Sequence, residues 1–87
     1  MVIERSVGEY IISTDKSKLD LGMIHGYLVD CYWAKGIPRE VVERSIAHSL
    51  CFGIYLGQEQ VGFSRTITDY ATFMYLADVF VLESHRG

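Results

Sequence analysis

The chain has 87 residues, enough for one small domain or part of one. Its composition, 49% hydrophobic and 13% aromatic, is typical of a globular protein and excludes a disordered one. The net charge is −3 and the eight Lys and Arg residues are scattered, so the chain lacks the basic surface expected of a nucleic-acid-binding protein.

The first half of the sequence predicts one strand and two helices. Residues 10–14 are rich in β-branched and aromatic residues and predict a short strand, followed by a polar turn. Asp20 is a suitable N-cap for a first helix that ends at Gly36. The apolar face of this helix has helical spacing and consists of Ile24, Tyr27, Leu28, Cys31 and Tyr32. Pro38 then precedes a second helix over residues 39–49.

The second half predicts three consecutive strands. Residues 50–56 and 61–68 form a hairpin around a Gly57 turn, and 72–82 form a long last strand. Because this last strand is mostly apolar, we expect it to be central and covered on both faces. The order β-α-α-β-β-β predicts an α+β fold, an antiparallel meander with two helices packed on it.

Compartment and metal content follow from the cysteines and the apolar runs. Cys31 and Cys51 show neither metal-ligand spacing nor a CxxC pattern, so we expect reduced thiols and no metal site, with a disulfide as the alternative. No apolar run approaches about 20 residues, and the N-terminus does not resemble a signal peptide. We therefore expect a cytoplasmic protein that does not bind membranes.

Two charged residues interrupt apolar strands. Asp78 lies inside the last strand, where an unpaired carboxylate would be costly. It is either a structural acid paired with a backbone or tyrosine donor, or a site acid that recognises or deprotonates an amine. Arg65 interrupts the preceding strand. It is either a solvated charge or a residue that reaches an acidic acceptor or Asp69.

The strand order and three segments resemble the GNAT family of N-acetyltransferases. The segments are residues 32–38, residues 68–73 and the apolar strand that ends in Leu82-Glu83-Ser84-His85-Arg86-Gly87. In the family, the fourth strand leads into an Arg- or Gln-x-x-Gly-x-Gly/Ala loop that is followed by a helix. Arg86 and Gly87 match the first two positions of this loop. The resemblance covers the N-terminal half of the family's fold, so we expect residues 1–87 to form a single partial GNAT domain.

The resemblance implies transfer of an acetyl group from acetyl-CoA to the amine of a small molecule or peptide. The family's fourth strand hydrogen-bonds the pantetheine arm, a role that falls by position to Phe80, Val81 and Leu82, while Arg86 and Gly87 would begin the pyrophosphate loop. Acceptor contacts between the early helices would come from Tyr32 and Trp33. Tyr70, an aromatic residue in a turn, and Arg65 are further candidates for acceptor binding.

Two functions remain open. The chain is either the N-terminal part of an acetyltransferase, incomplete for catalysis because four loop positions and the expected acid are absent, or a non-catalytic module. In the second case the unpaired edge of the last strand would support a homodimer. Asp78 is the only candidate catalytic residue.

Overall fold

The computed structural model describes residues 2–86. Five strands form one antiparallel sheet in the order of the chain, and two helices lie between the second and third strands. This confirms the predicted α+β meander. The elements are β1 (Glu4–Val7), β2 (Tyr10–Ser13), α1 (Leu21–Leu28), α2 (Arg39–Ala47), β3 (Leu50–Leu56), β4 (Glu59–Thr68) and β5 (Met74–Val81).

The first strand was absent from the predicted order. β1 pairs with β2 across a two-residue turn in which Gly8 takes a positive φ of 60°. All four residues of β1 are exposed and two of them are charged, so neither face carries an apolar pattern. Its position is fixed by pairing with β2 and by Glu4, which accepts a hydrogen bond from Ser13 at 2.8 Å.

The start of α1 confirms the predicted cap, but its end is much earlier than predicted. The Asp20 carboxylate accepts from the Met23 N–H at 3.1 Å. The helix ends at Leu28, and turns lead to Gly36, whose N–H donates to Val29 O at 3.0 Å. The helical spacing therefore misassigned Tyr32, which is exposed outside the helix.

The core lies between the two helices and one face of the sheet. Phe63 of β4 pairs directly with Phe80 of β5, and alternation places Cys51 of β3 on the same face. Ile24, Leu28 and Val42 of the helices pack against these three residues, and all six are almost fully buried. Tyr27 stacks on Phe80 with ring centroids 3.9 Å apart.

The last strand is an edge strand in this structure, so its predicted central position is wrong. β5 pairs only with β4 among residues 2–86, and Met74, Leu76 and Val79 are more than half exposed. Its apolar sequence gave no information on the number of neighbouring strands, because burial on both faces and an exposed apolar edge produce the same pattern.

Burial raises the pKa values of the two cysteine thiols and of one tyrosine. Cys31 and Cys51 are free thiols, and burial raises the pKa of both. Burial also raises the pKa of Tyr55 to about 12, and its hydroxyl has no hydrogen-bond partner among the described residues. No helix within residues 2–86 has the length and apolar character needed to cross a membrane.

Gly53 leaves the space that the Tyr55 ring occupies. A Cβ on Gly53 would lie 2.3 Å from the Tyr55 hydroxyl oxygen, so Gly53→Ala must displace a buried ring. We expect the free energy of unfolding in urea to fall by at least about 2 kcal/mol. Gly26→Ala is the control, since a Cβ there meets nothing within 4 Å and alanine favours a helix by up to about 1 kcal/mol. Equal stability of the two variants would contradict this packing.

Candidate functional site

A groove of about 660 Å³ lies between the α1–α2 connection, α2 and the β4–β5 end of the sheet. Its volume is typical of small-molecule sites. Four of the residues singled out from the sequence line it together: Tyr32, Trp33, Arg65 and Asp78. Lys35, Tyr75 and Ala77 line it as well, so the groove combines aromatic walls with a few charged groups.

A buried ion pair forms the base of the groove. Arg65 and Asp78 are directly opposite each other in β4 and β5, and Arg65 Nε donates to Asp78 Oδ2 at 2.7 Å. Trp33 Nε1 donates to the other carboxylate oxygen at 2.8 Å. Arg65 Nη1 donates in addition to Ser49 Oγ at 3.1 Å. The network therefore ties the α1–α2 connection to β4, to β5 and to the residue that precedes β3.

These partners explain how a carboxylate is tolerated in an apolar strand. The predicted donor for a structural Asp78 was a backbone or tyrosine group, and the predicted partner of Arg65 was Asp69 or an acidic acceptor. The structure instead pairs Arg65 with Asp78 and adds the indole of Trp33. Each carboxylate oxygen accepts one hydrogen bond, which offsets the cost of burial. Asp78 also lines the groove, so its role as a site acid stays a prediction.

The aromatic rim of the groove comes from the non-helical segment after α1. Tyr32 is 90% exposed and meets the Trp33 ring edge-on, with centroids 5.3 Å apart. Trp33 is 44% exposed even though its indole N–H is bonded to Asp78. Both rings thus keep exposed surface at the groove.

Tyr70 lies apart from this groove. It has a positive φ of 65° in the β4–β5 turn and lines a second groove of about 400 Å³ with Phe73 and Met74. The turn is held by Asp69, whose carboxylate accepts from the N–H groups of Ala71, Thr72 and Phe73 and from the Thr72 hydroxyl. These bonds lower the pKa of Asp69 well below its usual range. The structure does not bring Tyr70 together with Trp33.

The outer edge of β5 carries backbone groups that point away from the sheet. Leu82 N–H donates to Val61 O at 2.8 Å, so antiparallel alternation turns the N–H and C=O groups of Val79 and Val81 outward. The register between β4 and β5 shifts between Arg65 and Thr66, which leaves Ala77 without a partner in β4. This bulge lies where the outer edge of β5 reaches the groove.

The residues predicted to bind the cofactor differ in whether their backbone N–H and C=O groups are free to bond a ligand. The Phe80 ring is in the core, and its backbone faces β4 by the same alternation. Leu82 is bonded at both backbone groups, to Val61 O and to the His85 N–H. This geometry favours Val81 among the three predicted strand residues and adds Val79.

Arg86 lies against the same edge. Its Nε donates to Val81 O at 2.8 Å and its Nη2 to the Tyr27 hydroxyl at 3.0 Å. The Arg86 side chain therefore hydrogen-bonds a backbone carbonyl that points away from the sheet. Gly87, the second predicted loop residue, lies outside the described residues.

A meander whose open strand edge adjoins a groove under two helices fits the N-terminal half of the fold that the sequence resemblance implies. No family model matches the chain. A crystal structure from Xanthomonas campestris pv. campestris, described as a "putative acetyltransferase belonging to the GNAT family", is 54% identical with a TM-score of 0.90. The match covers 94% of this chain and 58% of that one. This chain belongs to the GNAT family.

A second relative agrees with this assignment. A protein from Gibberella zeae, named as a "putative acetyltransferase", is 33% identical over 100 residues. The match covers 92% of this chain and 56% of that protein. The chain thus spans a little more than half the length of both relatives.

The sequence analysis did not single out the groove residues Lys35 and Tyr75, nor Ser49, which accepts a hydrogen bond from Arg65. Tyr75 lies in the last strand, which was expected to be covered on both faces, yet it is 58% exposed. Lys35 lies within the 32–38 segment and Ser49 ends the predicted second helix, but neither carries a pattern that distinguishes it from a solvated residue. The signal that the sequence offered for Lys35 was its position two residues after the Tyr32-Trp33 pair, because a cation can interact with aromatic rings.

Breaking the Arg65–Asp78 pair should cost much more stability than breaking a surface pair. The two side chains are only 17% and 9% exposed, so Asp78→Ala leaves a buried guanidinium without its partner. We expect a loss of about 3 kcal/mol in the free energy of unfolding, together with a change in Trp33 fluorescence. The control is Arg39→Ala, which removes an exposed pair with Glu43 at 3.7 Å and should cost less than about 0.5 kcal/mol. Similar losses in both variants would contradict this contribution.

Proposed function

We propose that this chain provides the cofactor strand and the acceptor groove of an N-acetyltransferase that uses acetyl-CoA. The observation that carries the proposal is the junction at Ala77 and Asp78. There the outward backbone groups of β5 adjoin a groove that could hold an amine. A thioester held along this edge would meet an acceptor in the groove at the bulge.

The edge of β5 suits the pantetheine arm because both are extended chains of amide groups. An extended ligand can add to an exposed strand edge through backbone hydrogen bonds. The outward groups of Val79 and Val81 would make these bonds. Arg86 would first release the Val81 carbonyl and then, with Gly87, begin the pyrophosphate loop that the family resemblance implies.

The reaction is a direct acyl transfer. The lone pair of a neutral amine attacks the thioester carbonyl carbon, the carbon–sulfur bond breaks and an amide forms. The amine proton passes to a base or water, and the CoA sulfur leaves as a thiolate that is then protonated. Asp78 is our only candidate for a catalytic residue, because it lines the groove next to the bulge at Ala77.

The proposal includes three finer points. The chain is a partial GNAT domain and incomplete for catalysis, a view supported by the 56% and 58% coverage of its relatives and by the exposed apolar side chains of β5. The acceptor is the amine of a small molecule or peptide. The protein is cytoplasmic, which the free thiols of Cys31 and Cys51 support.

Calorimetric titration of acetyl-CoA tests the cofactor strand. We expect binding with a Kd below about 1 mM, which corresponds to only about 4 kcal/mol. Val79→Pro removes an outward N–H without removing a bond to β4, so it should weaken binding at least about tenfold. Val79→Ala keeps the N–H and should bind like the parent chain.

Two results would count against this assignment. One is the absence of heat at millimolar acetyl-CoA. The other is equal binding by the proline and alanine variants, since the backbone donor would then be irrelevant. Release of the CoA thiol in the presence of amines gives a separate activity readout, expected at background for this chain alone.

A second candidate function is a non-catalytic module that self-associates through β5. It is favoured by the apolar side chains on this edge strand: Met74, Tyr75, Leu76 and Val79 are all more than half exposed. Two copies pairing along β5 would satisfy the outward backbone groups and cover these side chains.

Size-exclusion chromatography with light scattering tests this association. We expect a dimer that Leu76→Lys converts to a monomer, because the charge would be brought into the new interface. Val7→Lys is the matched control, since Val7 has nearly the same exposure, 57% against 59%, but lies on β1 at the opposite edge of the sheet. A monomeric parent chain excludes the module, and a dimer dispersed only by Val7→Lys assigns the interface to β1.

A further inference from the structure

We propose that the acceptor carries a carboxylate next to an apolar or aromatic body, as an amino acid or a peptide with a free C-terminus does. Lys35 and Arg65 would hold this carboxylate while the aromatic walls contact the body. This substrate class rests on the proposed acetyl transfer, but the binding preference can be measured without the cofactor.

The charges of the groove are opposite to those of the chain as a whole. The chain has a net charge of −3, yet the ionised side chains of the groove are Lys35, Arg65 and Asp78. Arg65 and Asp78 neutralise each other at 2.7 Å. The ammonium of Lys35 pairs with no carboxylate of residues 2–86. The groove therefore has an excess positive charge that favours an anionic group.

Arg65 retains one nitrogen, Nη2, for a ligand after its internal bonds are made. Its Nε bonds Asp78 and its Nη1 bonds Ser49. Its Nη2 bonds no acceptor within residues 2–86, and it is not among the buried polar atoms that lack a partner. This nitrogen is therefore not completely buried, and its guanidinium is already oriented by two hydrogen bonds. An oriented guanidinium suits a carboxylate and loses little entropy on binding.

The walls of the groove fit an apolar body better than a second cation. Tyr32, Trp33 and Tyr75 present exposed rings, and Ile37 and Val41 add aliphatic surface. Such rings also attract cations. However, the one carboxylate in the lining, Asp78, already accepts from two donors, and Lys35 repels a further positive charge. An acceptor with several ammonium groups is therefore disfavoured.

Trp33 allows a direct test, because it is the single tryptophan and lines the groove. The probes are N-acetylphenylalanine and N-acetylphenylalaninamide, which differ in the carboxylate and resemble a reaction product. We expect the acid to quench Trp33 fluorescence with a Kd about tenfold lower than that of the amide, as a charge-assisted hydrogen bond implies. Equal affinity for the two probes, or no binding of either, would overturn the proposal.

Charge variants assign the effect to the groove. Lys35→Gln should abolish most of the preference for the acid, whereas Lys35→Arg should keep it. Arg5→Gln makes the same charge change on β1, which contributes no residue to the groove, and should leave the preference intact. If Arg5→Gln and Lys35→Gln act alike, the preference comes from overall charge and the proposal fails. Loss of acetyl-CoA binding with the acid preference retained would refute the proposed function alone.

Discussion

The ion pair between Arg65 and Asp78 is the constraint on which the rest of this site depends. A carboxylate that is almost fully buried requires compensation, and a guanidinium directly opposite on the next strand provides it. The second carboxylate oxygen then holds the indole of Trp33 and thereby the segment after α1. A single buried charge thus fixes the strand register and one wall of the groove.

The bulge next to this pair determines which side chains face the groove. In a regular strand, residues three positions apart lie on opposite faces. Tyr75 and Asp78 are three apart, yet both line the groove. The one-residue shift at Ala77 makes this possible, because Tyr75 is opposite Ile67 and Asp78 is opposite Arg65 on the same face of β4. The bulge therefore adds an aromatic ring to a charged pair.

Local signals in the sequence were sufficient for much of the fold. The cap at Asp20, the bounds of β3 and the meander follow from short-range chemistry: a carboxylate near free N–H groups, alternation, and glycine in a turn. These local signals failed where contacts between distant parts of the chain determine the structure. β1 is exposed and charged on both faces, and α1 ends at Leu28 although apolar spacing continues to Tyr32. The apolar spacing continues past the end of α1 into a non-helical segment, and the aromatic residues of that segment line the groove instead of the core.

The candidate site was harder to predict because it depends on distances across the sheet. Asp78 and Arg65 were recognised separately as charges in apolar strands, but their pairing depends on a register that a one-residue bulge alters. The family resemblance named Tyr32 and Trp33 as acceptor contacts, and the structure places both in the same groove as these charges. It gave no means of separating Tyr70, since a turn after β4 can fold toward or away from the groove.

The two functions proposed for β5 exclude each other for a physical reason. Pantetheine and a second chain would both lie along the outward groups of Val79 and Val81, and this strand edge has room for only one extended chain. The Arg86 side chain already satisfies the Val81 carbonyl, so either partner must displace it and lose that hydrogen bond. Association along the edge would bury apolar side chains as well, whereas the cofactor would place a thioester at the bulge. Any ligand that binds the single chain through this edge therefore shifts the equilibrium away from the dimer by mass action.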